Sequence, residues 1–275
     1  MSRFLILVCL SAAVAQQREP GKGINFYSIE KETALGRHLA AEFQRDTKPL
    51  TSPAALAYIN GIGQRLAARI GGPPFPYTFA LVADDPTVPR DVAAFPGGFL
   101  FVPASLILAV KDEDELAGLL AHAIAHVASR HGARQATRAE LVHASQPVIY
   151  MGGCAGYAIH QAPSLAIPIS LLQMWRNFEL DADRLAASKM PAAGYDPEAL
   201  ARYIDREQKS YDEPSQEIFS SLPRRTQRLQ AIHAVIAELP TQVYQPHEGL
   251  DTIQEEVRRL IATVSPAKQS PALEK

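Results

Sequence analysis

Residues 112–132 constrain this chain more than any other stretch. Leu116-Ala-Gly-Leu-Leu-Ala-His-Ala-Ile-Ala-His-Val-Ala-Ser-Arg-His131 reads as one helix. Asp112 is placed to cap its start, and Glu115 follows at the acid position of a capping box. Gly132 stands where a helix often stops or bends. His122 and His126 are four residues apart, so they project from one face, a turn apart. Two imidazoles so placed can share one metal ion. The residue between them that matters most is Ala123.

His-Glu-x-x-His on a helix is the zincin signature, in which the Glu removes a proton from the attacking water. Ala123 occupies the position of that Glu. Two histidines do not complete a zinc site, and a third ligand is needed. A later helix, expected over 173–189, carries Asn177-Phe-Glu-Leu-Asp-Ala-Asp-Arg184. Glu179 and Asp183 are four apart and face the same way. One carboxylate can bind zinc while the other holds a ligand imidazole in the right tautomer. Asp181 lies about 200° round the helix from Glu179 and points elsewhere. No carboxylate offers itself as a replacement base. Glu115 is eight residues before Ala123, about 12 Å along the helix, beyond hydrogen-bond reach of the reacting water.

Other histidines read as structural. His131 is nine residues from His122, about half a turn off its face, and is expected to meet carbonyls at the helix end. His38, His143, His160, His233 and His247 show no partner pattern.

The 275 residues suffice for one large domain or two small ones. A net charge of −2 argues against a phosphate-binding surface, so nucleic acid is not an expected partner. Residues 1–15 read as a secretory signal: Arg3, the apolar run Phe4 to Leu10, then Ala13-Val14-Ala15 as a cleavage site. Of the two cysteines, Cys9 falls in that segment, leaving Cys154 alone among glycines, a small apolar residue with no disulfide partner.

Amphipathic helices are expected over 29–44, with Leu35, Leu39 and Phe43 at steps of four, and over 53–70. Tyr77-Thr-Phe-Ala-Leu-Val82 reads as a strand turned by Asp84-Asp85-Pro86. Phe95-Pro-Gly-Gly-Phe-Leu-Phe-Val102 reads as a turn feeding another strand. The charge-free part of 141–175 is broken by Pro147, Pro163 and Pro168 and reads as buried or cleft-lining, with membrane-surface contact through 147–172 as the alternative. Helices follow from Asp196-Pro197-Glu198 and over 226–239. Beyond Pro240 lies a polar tail, 241–275, with a short helix at 251–262 and a Pro/Ala/Lys-rich end.

In order, these motifs resemble those of the HtpX/BepA-type zinc metalloendopeptidases, metallopeptidase family 48. The histidine helix matches over Leu116 to Gln135, and Glu179-Leu-Asp-Ala-Asp183 matches the family's Glu-x-x-Ala-Asp. Phe95 to Val102 matches its Pro-Gly-Gly strand, and Ser221-Leu-Pro-Arg-Arg-Thr-Gln-Arg228 its Thr-His-Pro-x-x-x-x-Arg. The resemblance spans 29–239. It implies that His122, His126 and Glu179 hold one zinc ion, with Asp183 supporting them. It implies that an edge strand, with Gly97, Gly98, Phe99 and Phe101, receives extended polypeptide by strand addition. Two positions depart from the pattern. Ala123 replaces the general base, and Leu222 replaces the auxiliary His.

The expectation is an α+β fold, mostly helical, with a small sheet beside two zinc-binding helices. The divisions are a signal peptide over 1–15, a metallopeptidase-like domain over 16–240, and the tail. The expected function is that of an exported, periplasmic or extracellular zinc metalloendopeptidase homologue acting on unfolded or misfolded envelope proteins, with hydrolysis lost or strongly reduced. The alternative is a non-catalytic, chaperone-like or adaptor module that binds extended polypeptide.

Overall fold

The computed structural model describes residues 24–84, 91–143, 169–207 and 222–264. Residues 1–15, Cys9, Cys154, His160, Ser221, most of the 141–175 run and the end of the chain lie outside these. So does the side chain of His143.

The described residues are mostly helical around one small sheet. The order is α1 (Ile29–Asp46), β1 (Lys48–Pro49), α2 (Pro53–Ile70), β2 (Thr78–Ala83), β3 (Ala93–Phe95) and β4 (Phe99–Pro103), then α3 (Ala104–Ala109), α4 (Glu113–Ala128), α5 (His131–His143) and α6 (Ile169–Lys189). A 3-10 turn at Pro191–Ala193 leads to α7 (Glu198–Glu207), α8 (Arg225–Ile236) and α9 (Leu250–Val264). Caps form where small polar residues precede the helices. Ser28 accepts from Lys31, Ser52 from Ala55, and Asp112 from Glu115. Pro53 opens α2, where its missing N–H has no helical partner to lose.

The sheet runs β1-β2-β4-β3. β2 and β4 are parallel, Thr78 opposite Phe99, while β1 and β3 run antiparallel to their neighbours. This corrects the expected substrate strand. β4 is paired on both sides, so Phe99 and Phe101 sit in an inner strand; the outermost strand on that side is β3. Phe101 is buried with Phe95 and Ala40 in a small cluster under α1, its ring 4.9 Å from that of Phe43.

Gly97 and Gly98 have their own structural reason. The chain reverses between β3 and β4 with φ of 80° and 97° at these residues, a region glycine enters without steric cost. A Cβ on Gly97 would also stand 2.8 Å from Thr33 Cα. Just before them, Pro96 is clasped from two sides. A Cβ on Gly36 of α1 would fall 1.6 Å from the Pro96 carbonyl oxygen, and one on Gly132 of α5 would fall 2.8 Å from its ring.

α4 is the centre of the core. Leu116, Leu120 and Ile124 are fully buried among residues from α2, the sheet, α3, α7 and α9. The Glu115 carboxylate accepts from the Lys111 N–H, one residue ahead of the cap, and is gripped by Arg206 at 2.6 and 2.8 Å. The expected single helix to His131 is broken. α4 ends at Ala128, and Arg130 takes φ 56°, a left-handed conformation costing about 1–2 kcal/mol outside glycine. Arg130 is held there by α1 and the residue ahead of its cap: its guanidinium donates to Glu32 and to the Tyr27 carbonyl, each at 2.6 Å.

The C-terminal stretch is also more than a tail. α9 places Leu250, Ile253 and Val257 in the main core, and buried Gln254 donates to the Ile107 and Val110 carbonyls at 2.9 Å. The boundary expected at residue 240 therefore does not mark the end of the packed unit. Among the described residues, no helix is long and apolar enough to cross a membrane.

Candidate metal centre

α4 and α6 pack along one another, and their contact faces are rich in alanine: Ala121, Ala125, Ala182 and Ala186 are all fully buried. Short side chains let the two backbones approach, which brings residues distant in sequence to one point. His122 Nε2 lies 3.3 Å and His126 Nε2 3.5 Å from the Glu179 carboxylate, and the two imidazole nitrogens are 3.0 Å apart. One donor atom from each of the three falls within 4.8 Å of the others, a group able to hold a metal ion. The side chains are 16, 22 and 17% exposed, so the group is recessed yet reached from solvent.

Behind these donors stands a carboxylate held by an arginine. Asp183 Oδ1 is 2.8 Å from His122 Nδ1, on the far side of the ring from Glu179. Asp183 is fully buried, and Arg228 of α8 donates to both its oxygens at 2.7 Å. The bidentate fork fixes the plane of the carboxylate and offsets its buried charge. Burial would raise the Asp183 pKa, but Arg228, then His122, outweigh it and hold the carboxyl below its usual range. Burial likewise opposes ionisation of Glu179, and the charges and hydrogen bonds of His126 and His122 keep it well below the usual range. For His122, burial acts downward but Asp183 and Glu179 prevail, raising it from 6.5 to about 9.

Three residues stand where the spacing of the motifs does not place them. His131 does not meet carbonyls at a helix end. Its Nδ1 lies 3.1 Å from His126 Nδ1, and its ring stacks on Phe178 with centroids 4.2 Å apart. Burial, then the nearby His126 and Arg134 charges, push its pKa well below 6.5. Arg228 closes the last of the matched motifs, and nothing in that spacing shows that it clamps Asp183. Asp91, two residues before β3, belongs to none of the sequence motifs. It reaches solvent, yet desolvation by surrounding protein raises its carboxyl against Arg228 and His122, with Glu179 and His126 also in range. Only its place ahead of the Pro-Gly-Gly turn could have pointed to it.

The remaining expected residues are more ordinary. Ala123 is 3% exposed and belongs to the main core. Leu222 is half-buried. Asp181 faces away and pairs with Arg184 at 3.3 Å. His38 pairs with Glu42 and His233 with Glu198, while His247 lies near Glu113 and Asp114.

Peptidase family M48 matches this chain over residues 53–236. The putative beta-barrel assembly-enhancing protease of Vibrio cholerae is 28% identical over 225 residues, covering 74% of this chain and 46% of that protein. The beta-barrel assembly-enhancing protease of Escherichia coli K12 is 25% identical over 215 residues, 74% of this chain and 43% of its own length. The mitochondrial metalloendopeptidase OMA1 of Saccharomyces cerevisiae is 28% identical over 127 residues, 46% of this chain and 35% of its own. The chain thus spans less than half the length of these curated relatives.

Proposed function

The chain belongs to peptidase family M48, and from that premise we propose that it is an exported zinc-binding peptidase homologue whose hydrolysis is strongly reduced. The observation carrying this reading is a complete three-donor group, His122, His126 and Glu179, next to an alanine at position 123. Two imidazole nitrogens and a carboxylate oxygen are a donor set that suits zinc, and both imidazoles are engaged through their second nitrogen. When bound, zinc supplies Lewis acidity that polarises a carbonyl and favours a water nucleophile near neutral pH.

The chain's own residues account for the rest. His122, His126 and Glu179 hold the ion; Asp183, pinned by Arg228, orients His122. Ala123 presents a methyl group where relatives of the resembled pattern carry a proton acceptor, so the attacking water keeps its proton. General-base help is worth about 10²–10⁴ in rate, or roughly 3–5 kcal/mol of barrier. Leu222, in the place of the auxiliary His, offers no donor to a developing oxyanion. The relatives are named as proteases, which supports a polypeptide partner, and the proposal takes it in extended or unfolded form, bound without efficient cutting. A slow peptidase is the second reading, in which a carboxyl elsewhere, such as that of Asp91 ahead of β3, takes the proton that position 123 does not.

Unfolded casein incubated with zinc and the purified native, Ala123→Glu and Ala123→Glu/Leu222→His proteins, each with and without chelator, separates these readings. The expected result is trace native cleavage and a chelator-sensitive increase in one or both variants. Native turnover at an ordinary protease rate would sink the proposal. Residual native cleavage that disappears in Asp91→Asn would establish the slow peptidase instead.

A further inference from the structure

His131 lies five residues after His126, about 140° away on an unbroken helix, where the two rings could not meet. The break at Ser129 and Arg130 removes that obstacle. It turns His131 back until its Nδ1 lies 3.1 Å from His126 Nδ1, the rings edge to face with centroids 5.0 Å apart. His131 is itself immobilised. One face stacks on Phe178 at an interplanar angle of 11°, the residue is 3% exposed, and its buried Nε2 has no partner among the described residues.

We infer that His131 is a positioning residue for His126, accepting a hydrogen bond from the His126 Nδ1–H and so leaving Nε2 free to bind the metal. The inference rests on His126 being a metal ligand, as proposed above. Two Nδ1 atoms at this distance share one proton, because two protons would repel and two lone pairs would form no bond. Two arrangements are therefore possible. If His131 donates, the neutral His126 must carry its proton on Nε2, the atom facing Glu179 and His122, and its metal-binding lone pair is lost. If His126 donates, Nε2 is open and the His131 proton moves to its own Nε2, which is buried. Only the second arrangement is compatible with the three-donor group.

The two histidine ligands are thus oriented by unlike means. His122 leans on the ionised Asp183–Arg228 pair, whereas His126 leans on a neutral imidazole. A neutral acceptor transfers less electron density to the ring than a carboxylate does, which makes His126 the weaker donor of the pair.

Zinc affinity, measured by competition with a fluorescent chelator, tests the assignment in native, His126→Ala, His131→Phe and His131→Asn proteins. Phe keeps a ring against Phe178 but accepts no hydrogen bond, whereas Asn places a carbonyl oxygen near the lost Nδ1. The expected result is about a 10–100-fold loss of affinity in His131→Phe and substantial recovery in His131→Asn. Equal affinity in native and His131→Phe overturns the assignment, as does equal loss in both His131 variants. Should His131→Phe fail to fold, ¹⁵N NMR of the zinc-loaded native protein decides. A ¹⁵N–¹⁵N coupling across the hydrogen bond from His126 Nδ1–H to His131 Nδ1 supports the assignment, and its absence, or a proton on His131 Nδ1, overturns it. Native protein that binds no more zinc than His126→Ala would overturn the metal reading itself, an outcome distinct from the others.

Discussion

Asp183 carries two roles in one side chain, accepting Arg228 on both oxygens while approaching His122 with one of them. Its charge is tolerable in a fully buried place only because the guanidinium is there. Arg228→Ala leaves that charge uncompensated, and the expected loss of stability is about 3–5 kcal/mol. Urea unfolding of the zinc-free protein measures it. A change below about 1 kcal/mol would mean that water replaces the arginine. At this scale the sequence revealed what lies on one helix face and little of what crosses between helices. His122, His126, Glu179 and Asp183 were legible because helical geometry turns a spacing of four into a shared direction. Arg228, His131 and Asp91 were not, since their relation to the site depends on how α8 docks, how α4 breaks, and where β3 begins.

Between elements, the turn from α4 to α5 depends on a contact from the far end of the chain. Glu32 of α1 is fully buried, with one carboxylate oxygen on Arg130 and the other without a partner among the described residues. Burial raises its pKa above 4.5, and Arg130 only partly offsets this. A carboxyl raised by folding stabilises the native state below its unfolded pKa, and that contribution is lost as pH rises through the folded value. Native stability should therefore fall relative to Glu32→Gln as pH rises from about 4.5. Paired unfolding curves across that window test it; a constant difference would refute the sign. At the other end of the chain, Gln254→Ala strips two carbonyls of their partner and is expected to cost about 1–3 kcal/mol, again readable by urea unfolding. α2, β2 and the start of α7 were close to their expected limits because caps, prolines and glycines punctuate them. The break in α4 is not legible in the sequence, because Gly132, the glycine that punctuates this stretch, lies two residues beyond Arg130. That glycine answers to Pro96 packing rather than to a helix end. The core role of α9 was missed for a related reason: polar composition concealed an apolar stripe of Leu250, Ile253 and Val257.

Across the whole molecule, the three candidate donors come from two helices separated by the chain between α4 and α6. An unfolded chain has no reason to hold them together, so only the folded form offers the complete set. Loading and folding then form one thermodynamic cycle, and occupancy of the site becomes a measure of foldedness. With free zinc at 100 times the dissociation constant, the folded state gains about 2.7 kcal/mol. The melting temperature should rise with zinc in the native protein and stay unmoved in His126→Ala; equal shifts in both would show that the ion acts elsewhere. Position 123 stands outside this cycle, because an alanine there neither donates to the ion nor touches Asp183 through a polar atom. Selection for metal-dependent stability and selection for bond cleavage therefore act on different residues, the first on donors of α4 and α6 and the second on position 123. A lineage can surrender the second while the first keeps the donor set intact.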